Sequence, residues 1–151
     1  MGCVINLGVD LEGVSNVGPK VRRGIERYLI DGAAAGHAVA ANEVPEDRGT
    51  LRKNMFQPEV RDSGEVVYGV ADVPYALPME EGTQPFQPPI QPLLEWSERV
   101  TGDTGLGFYV ALHKIPTEGI DAQPYLEPAS EAQRDWYQTH DPSDYIETEL
   151  K

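Results

Sequence analysis

The chain has 151 residues, of which 12 are Lys or Arg and 25 are Asp or Glu, for a formal charge of −13. That balance argues against a dedicated nucleic-acid surface, because phosphate contacts need Lys and Arg. A single cysteine, Cys3, excludes an intrachain disulfide framework.

The length suits one domain able to bury its own core. Lone Cys3 fits a reducing compartment. No apolar run approaches the roughly 18 residues that span a bilayer, and residues 1–20 lack the pattern of a signal peptide. Synthesis and assembly in the cytoplasm, with no membrane partner, are therefore expected. Lysine is scarce, at Lys20, Lys53, Lys114 and Lys151 only. Acid excess with few lysines is expected of a halophilic protein, since at 1 M salt the Debye length falls to about 3 Å and self-repulsion is screened. An ordinary acidic protein is the alternative. The charge is uneven: residues 20–61 carry eight basic and six acidic side chains, and residues 62–151 carry four and 17.

In chain order, Val4–Leu11 alternates loosely and predicts a first strand, broken by Gly13, Ser15, Asn16 and Gly18. Pro19 suits the first position of a helix, where its missing N–H has no intrahelical partner. Val21, Ile25, Tyr28, Leu29, Gly32, Gly36 and Val39 then recur at spacings of three and four. The helix should end near Asn42, because the residue before Pro45 avoids helical geometry. Leu51–Arg61 and Glu65–Ala71 predict two strands joined by the turn Asp62-Ser63-Gly64, with Pro58 marking an edge. Val66, Tyr68 and Val70 supply an apolar face for the first helix.

Residues 72–92 are rich in Pro and Gly and predict a long loop, yet they hold Tyr75, Leu77, Met79, Phe86 and Ile90. Apolar content in such a loop points to a functional segment or to burial by a partner. Gln91–Val100 predicts a short helix. Asp103 or Thr104 would cap another, Gly105–Ile115, with Leu106, Tyr109, Val110 and His113 on one side. Ile120–Leu126 should be extended and Glu127–Thr139 helical. The acidic tail 141–151 should be mobile.

Chemistry-bearing constellations are scarce. His37, His113 and His140 lie far apart without a metal-ligand spacing. His37 reads as a hydrogen-bonded structural histidine, and Cys3 as an inert thiol. No serine stands in a nucleophile elbow, and Gly102-Asp103-Thr104-Gly105 lacks the lysine of a phosphate loop. Glu80-Glu81 reads as solvated surface. The expectation is a protein that is not an enzyme, with no catalytic, cofactor or metal residues.

Three stretches carry a family pattern. Val44-Pro45-Glu46-Asp47-Arg48-Gly49-Thr50-Leu51-Arg52 is similar to the "APVDTGRLR" stretch that follows the first helix in the neck and tail-completion proteins of long-tailed double-stranded DNA phages, which include the lambdoid minor tail protein Z group. Tyr68-Gly69-Val70, Val73-Pro74-Tyr75-Ala76 and Met79-Glu80-Glu81-Gly82-Thr83 resemble that family's "VG…PYA…vEfGT". Gln123-Pro124-Tyr125-Leu126-Glu127-Pro128-Ala129 is close to its "aqPFLrPA" ending. The turn order Asp-Arg-Gly-Thr differs from the family's Asp-Thr-Gly. Residues 84–121 read as an inserted helical pair in a single domain spanning 1–140.

The resemblance implies an α+β fold: a long helix on a small antiparallel sheet, with the inserted pair and a long loop. It also implies a structural virion protein, with a haloarchaeal tailed virus as the candidate source. The subunit would form a ring, most simply a hexamer, in the neck or at the head-proximal end of the tail. There it would meet the head connector and the tail tube or tail terminator, and let DNA pass unbound. Tyr75, Leu77, Met79, Gly82, Thr83 and Phe86 would form the subunit interface. Arg22, Arg23, Arg27 and Arg52 would face a partner protein, or else pair with Glu26, Glu43 and Asp47 in their own chain. The alternative function is a small acidic host adaptor that grips a protein through the 72–92 loop.

Overall fold

The computed structural model describes residues 18–151 and, ahead of them, the backbone of the strand Cys3–Leu7. The fold is α+β. The chain divides into two compact units, one of Met1–Ala76 with Pro124–Lys151, the other Leu77–Gln123. The break predicted at Gly13, Ser15 and Asn16, residues 8–11 of the predicted first strand, and the Cys3 side chain lie outside the described residues.

The first unit is built on a three-stranded antiparallel sheet of order β1-β3-β2, with β1 Cys3–Leu7, β2 Met55–Val60 and β3 Val66–Val70. All five residues of central β3 are buried, so the strand is covered on both faces rather than on one. Pro58 sits in edge strand β2, where the register shifts between Phe56 and Glu59. Proline cannot donate to a ladder, and an irregular edge resists pairing with another sheet.

Helix α1, Pro19–Glu43, crosses this sheet and packs most extensively on α7, Leu126–Thr139, and α8, Pro142–Leu150. Its buried seam is Gly24, Leu29, Gly32, Ala33, Gly36 and Ala40. Val21, Ile25 and Val39, expected on the core face, are half-buried flanks. Each glycine marks a close approach. A Cβ on Gly24 would stand 2.8 Å from the Ile146 Cα of α8, and one on Gly32 would enter the Tyr137 ring. The helix-propensity cost of these glycines, about 1 kcal/mol each, is offset by the packing they permit.

Three local expectations need correction. Thr50–Lys53 is a helical turn, α2, rather than the start of the strand; Gly49 at φ 67° precedes it, and the Asn54 side chain donates to the Thr50 carbonyl at 2.8 Å. The loop at 72–92 contains a helix, α3, Ala76–Glu81. The acidic tail is not a mobile strand of carboxylates. It forms α8, capped by the Asp141 carboxylate, which accepts from the Ser143 N–H at 2.8 Å, with Pro142 in the first turn. Tyr145 donates to Asp31 at 2.8 Å, and Glu149 meets Arg27 at 2.6 Å, tying α8 to α1.

The second unit carries the rest of α3, then α4, Ile90–Thr101, then one helical run made of α5, Gly105–Tyr109, a π turn at Val110–Lys114, and α6, Ile115–Glu118. Asp103 accepts from the Gly105 N–H at 3.1 Å at the start of that run. Gly119, at φ 82°, ends it. The insertion expected at 84–121 falls inside this unit. Among the described residues no helix is long and apolar enough to cross a membrane.

Candidate functional site

The six residues expected at a subunit interface lie in and beside α3 along the chain. Asp72 at φ 53° turns the chain out of β3. Val73 and Ala76 are buried, and the Ala76 N–H donates to the Val73 carbonyl at 3.1 Å, so Tyr75 is thrown outward at 46% exposure. Leu77 and Phe86 are exposed by 49% and 41%. Gly82, at φ 75°, ends α3, and its N–H donates to the Pro78 carbonyl at 2.9 Å.

Met79, Gly82 and Thr83 make contacts inside their own unit. The Thr83 N–H donates to the Ile120 carbonyl at 2.9 Å, and the Ile120 N–H donates back to the Thr83 hydroxyl at 3.0 Å. The Gln123 N–H donates to the Met79 carbonyl at 2.7 Å. A Cβ on Gly82 would stand 2.7 Å from the Ile120 carbonyl oxygen. The segment 79–83 is thus clipped to 120–123, and everything between leaves and returns at one point.

Beside this clip lies a groove of about 400 Å³, whose apolar lining is Met79, Leu93, Trp96, Val110, Ile115 and Ile120. Lys114 and Asp121 stand at its edge as an ion pair 3.3 Å apart. The 105–118 helix turns Gly107, Ala111 and Ile115 inward. Leu106, Phe108, Tyr109 and Leu112 face solvent. Leu106, Tyr109 and His113 are therefore on the outer side, with Tyr109 stacked on His113 at 5.9 Å. The cause is Gly107: a Cβ there would stand 2.5 Å from the Leu93 carbonyl oxygen, so this is where the helix meets the α4 backbone. The sequence signal was the small residue at 107 followed four later by Ala111.

The four arginines all meet carboxylates in the same chain. Arg22 pairs with Glu26 at 2.9 Å, Arg52 with Glu46 at 3.3 Å, and Glu149 holds both Arg23 and Arg27 at 3.3 and 2.6 Å. Their side chains remain about half exposed. Hydrogen bonds from Arg27 and Arg23 hold the Glu149 carboxyl below the usual carboxylate range. Of the expected own-chain partners Glu26 serves Arg22, and Glu149 of α8 serves Arg23 and Arg27.

In the first unit, His37 Nε2, the Tyr68 hydroxyl and Gln133 Oε1 are buried without hydrogen-bond partners. His37 is therefore not hydrogen-bonded at Nε2 as expected; it packs edge-on against Tyr68, ring centroids 6.0 Å apart. Burial pushes the His37 pKa down and the Tyr68 pKa up. The third motif contributes buried Tyr125, Leu126 and Ala129, and the Tyr125 hydroxyl donates to the Ala76 carbonyl at 3.4 Å. No group of three His, Cys, Asp or Glu able to hold a metal occurs among the described residues.

Comparison with protein-family models, with curated proteins and with solved structures finds no match to the chain.

Proposed function

We propose that the chain is a structural subunit of a tailed virus, forming a ring in the neck or at the head-proximal end of the tail that joins tail to head and leaves a channel for DNA. The observation that carries the reading is the meeting of the resembling motifs. Val73 and Ala76 of the second motif and Tyr125, Leu126 and Ala129 of the third are buried in one unit, joined through the Tyr125–Ala76 hydrogen bond. The Thr83–Ile120 clip closes the base of the intervening segment. Removing that segment would leave the two motifs nearly consecutive, as in the family they resemble. The long helix on an antiparallel hairpin adds support from the fold.

In this reading exposed Tyr75, Leu77 and Phe86 meet a neighbouring subunit, while Met79, Gly82 and Thr83 hold the clip within the second unit. The half-exposed arginines of α1 have capacity for a second carboxylate, since a guanidinium offers five donors. The test is genetic and structural. A virus lacking the gene should accumulate filled heads and separate tails, and Tyr75→Ala should reproduce part of that defect. Joined, infectious particles without the protein would refute the reading and favour the adaptor role.

A further inference from the structure

We propose that the groove of the second unit is a docking site for a segment of another protein that presents apolar side chains flanked by lysine or arginine. The inference stands whether or not the chain belongs to a virion. The groove has the volume and apolar walls of a ligand pocket. Trp96 lies in its wall, and tryptophan is among the residues that dominate binding energy when a partner covers them. Apart from Leu77 and Phe86, the unit also exposes Ile90, Val100, Leu106, Phe108, Tyr109 and Leu112 within 47 residues, Leu77–Gln123. So small a unit with so much apolar surface marks an interaction face.

Charge selects the occupant. Residues 77–123 carry seven acidic and two basic side chains. Asp121 lines the groove paired with Lys114, and Glu118 adjoins the lining residue Gly119 in sequence. A second copy docked groove to groove would set its own seven acids and two bases of residues 77–123 against that rim. Like-charge juxtaposition disfavours it, whereas a basic segment is steered in and held. Lys114, already paired with Asp121 across 3.3 Å, marks where an incoming lysine or arginine would compete. An amphipathic helix with anchors at three- and four-residue spacing is the simplest shape for such a groove.

The probe is a synthetic amphipathic peptide of about 14 residues made of leucine and lysine. Two controls match it: Lys/Ser, with the charge but no apolar face, and Leu/Glu, with the face but opposite charge. The protein is the full chain carrying Trp136→Phe, so that Trp96 alone reports. Saturable one-to-one binding of the Leu/Lys peptide is expected to shift Trp96 emission to shorter wavelength. Both controls should bind at least about tenfold more weakly. Val110→Glu should weaken the Leu/Lys peptide by a similar factor, although it adds an attractive charge. Ile120→Ser, without a charge change, provides a second variant, and circular dichroism verifies that each remains folded. Equal binding of the Lys/Ser peptide, or undiminished binding by both folded variants, would overturn the proposal. So would equal binding of the Leu/Glu peptide. A Trp96 shift that follows protein concentration without any peptide would identify a second copy as the occupant and refute the basic partner.

Discussion

Gly36 and Tyr68 should be energetically coupled, and a double-mutant cycle measures how strongly. A Cβ built on Gly36 would overlap the buried Tyr68 hydroxyl, and would stand 2.8 Å from the Ala129 carbonyl oxygen and 3.1 Å from the Gln133 Cβ. Gly→Ala inside a helix ordinarily stabilises by about 1 kcal/mol. Overpacking costs about 1–3 kcal/mol, and here one obstacle is a backbone carbonyl that cannot rotate aside. Gly36→Ala should therefore destabilise by about 0–2 kcal/mol net, toward the upper end because the carbonyl is fixed. Tyr68→Phe deletes a hydroxyl that is buried without a partner. An unsatisfied buried polar group costs about 1–3 kcal/mol, so this variant should be at least as stable as the parent. With the hydroxyl gone, part of the Gly36→Ala clash disappears, and the two effects should differ from additivity by about 1 kcal/mol. Urea denaturation followed by circular dichroism reads this from midpoints at constant m value. Additive effects within about 0.3 kcal/mol, or a Gly36→Ala variant more stable than the parent, would refute the packing argument.

Three further outcomes follow from the same geometry. Burial lowers the His37 pKa from 6.5, so the unfolded chain binds its proton first. The stabilisation is complete above 6.5 and falls away as pH drops below that value; His37→Phe should flatten the fall in urea midpoint between about pH 7.5 and 5.5. Gly119→Ala forces a left-handed backbone on a residue with a Cβ, which would also overlap the Thr83 carbonyl. It should unfold the second unit, moving Trp96 emission to longer wavelength while Trp136, read in a Trp96→Phe partner variant, stays unchanged. If the acid excess is a halophilic adaptation, the melting temperature should rise between about 0.1 and 2 M KCl; a flat response would leave an ordinary acidic protein.

Local rules marked many boundaries. Pro19 and the Val44-Pro45 step bracket α1 because proline's ring limits itself and its predecessor. Gly49, Gly64 and Gly82 all occupy positive φ, as their turns required. The α+β class was legible from the same signals, since a three-to-four period gives way to the short β-branched run Val66–Val70 after a Gly turn, although that run is buried on both faces and not on one. For α8 a local signal existed and was outweighed: Asp141-Pro142 is a helix cap followed by a first-turn proline, but the surrounding acidic composition reads as a solvated tail.

Other features depended on which elements meet. The sequence shows that the 105–118 helix has apolar residues on more than one side; only the close contact of Gly107 with the α4 backbone decides that Leu106 and Tyr109 face solvent. Glu149 belongs with Arg23, 126 residues away, through α8 lying on Gly24. The Tyr68 hydroxyl rests where Gly36 lacks a side chain, and Thr83 finds Ile120 across 37 residues. Backbone preferences act over a few residues and are written locally. Close packing joins residues distant along the chain, and it depends on the shapes of both surfaces, so it is decided only when they come together.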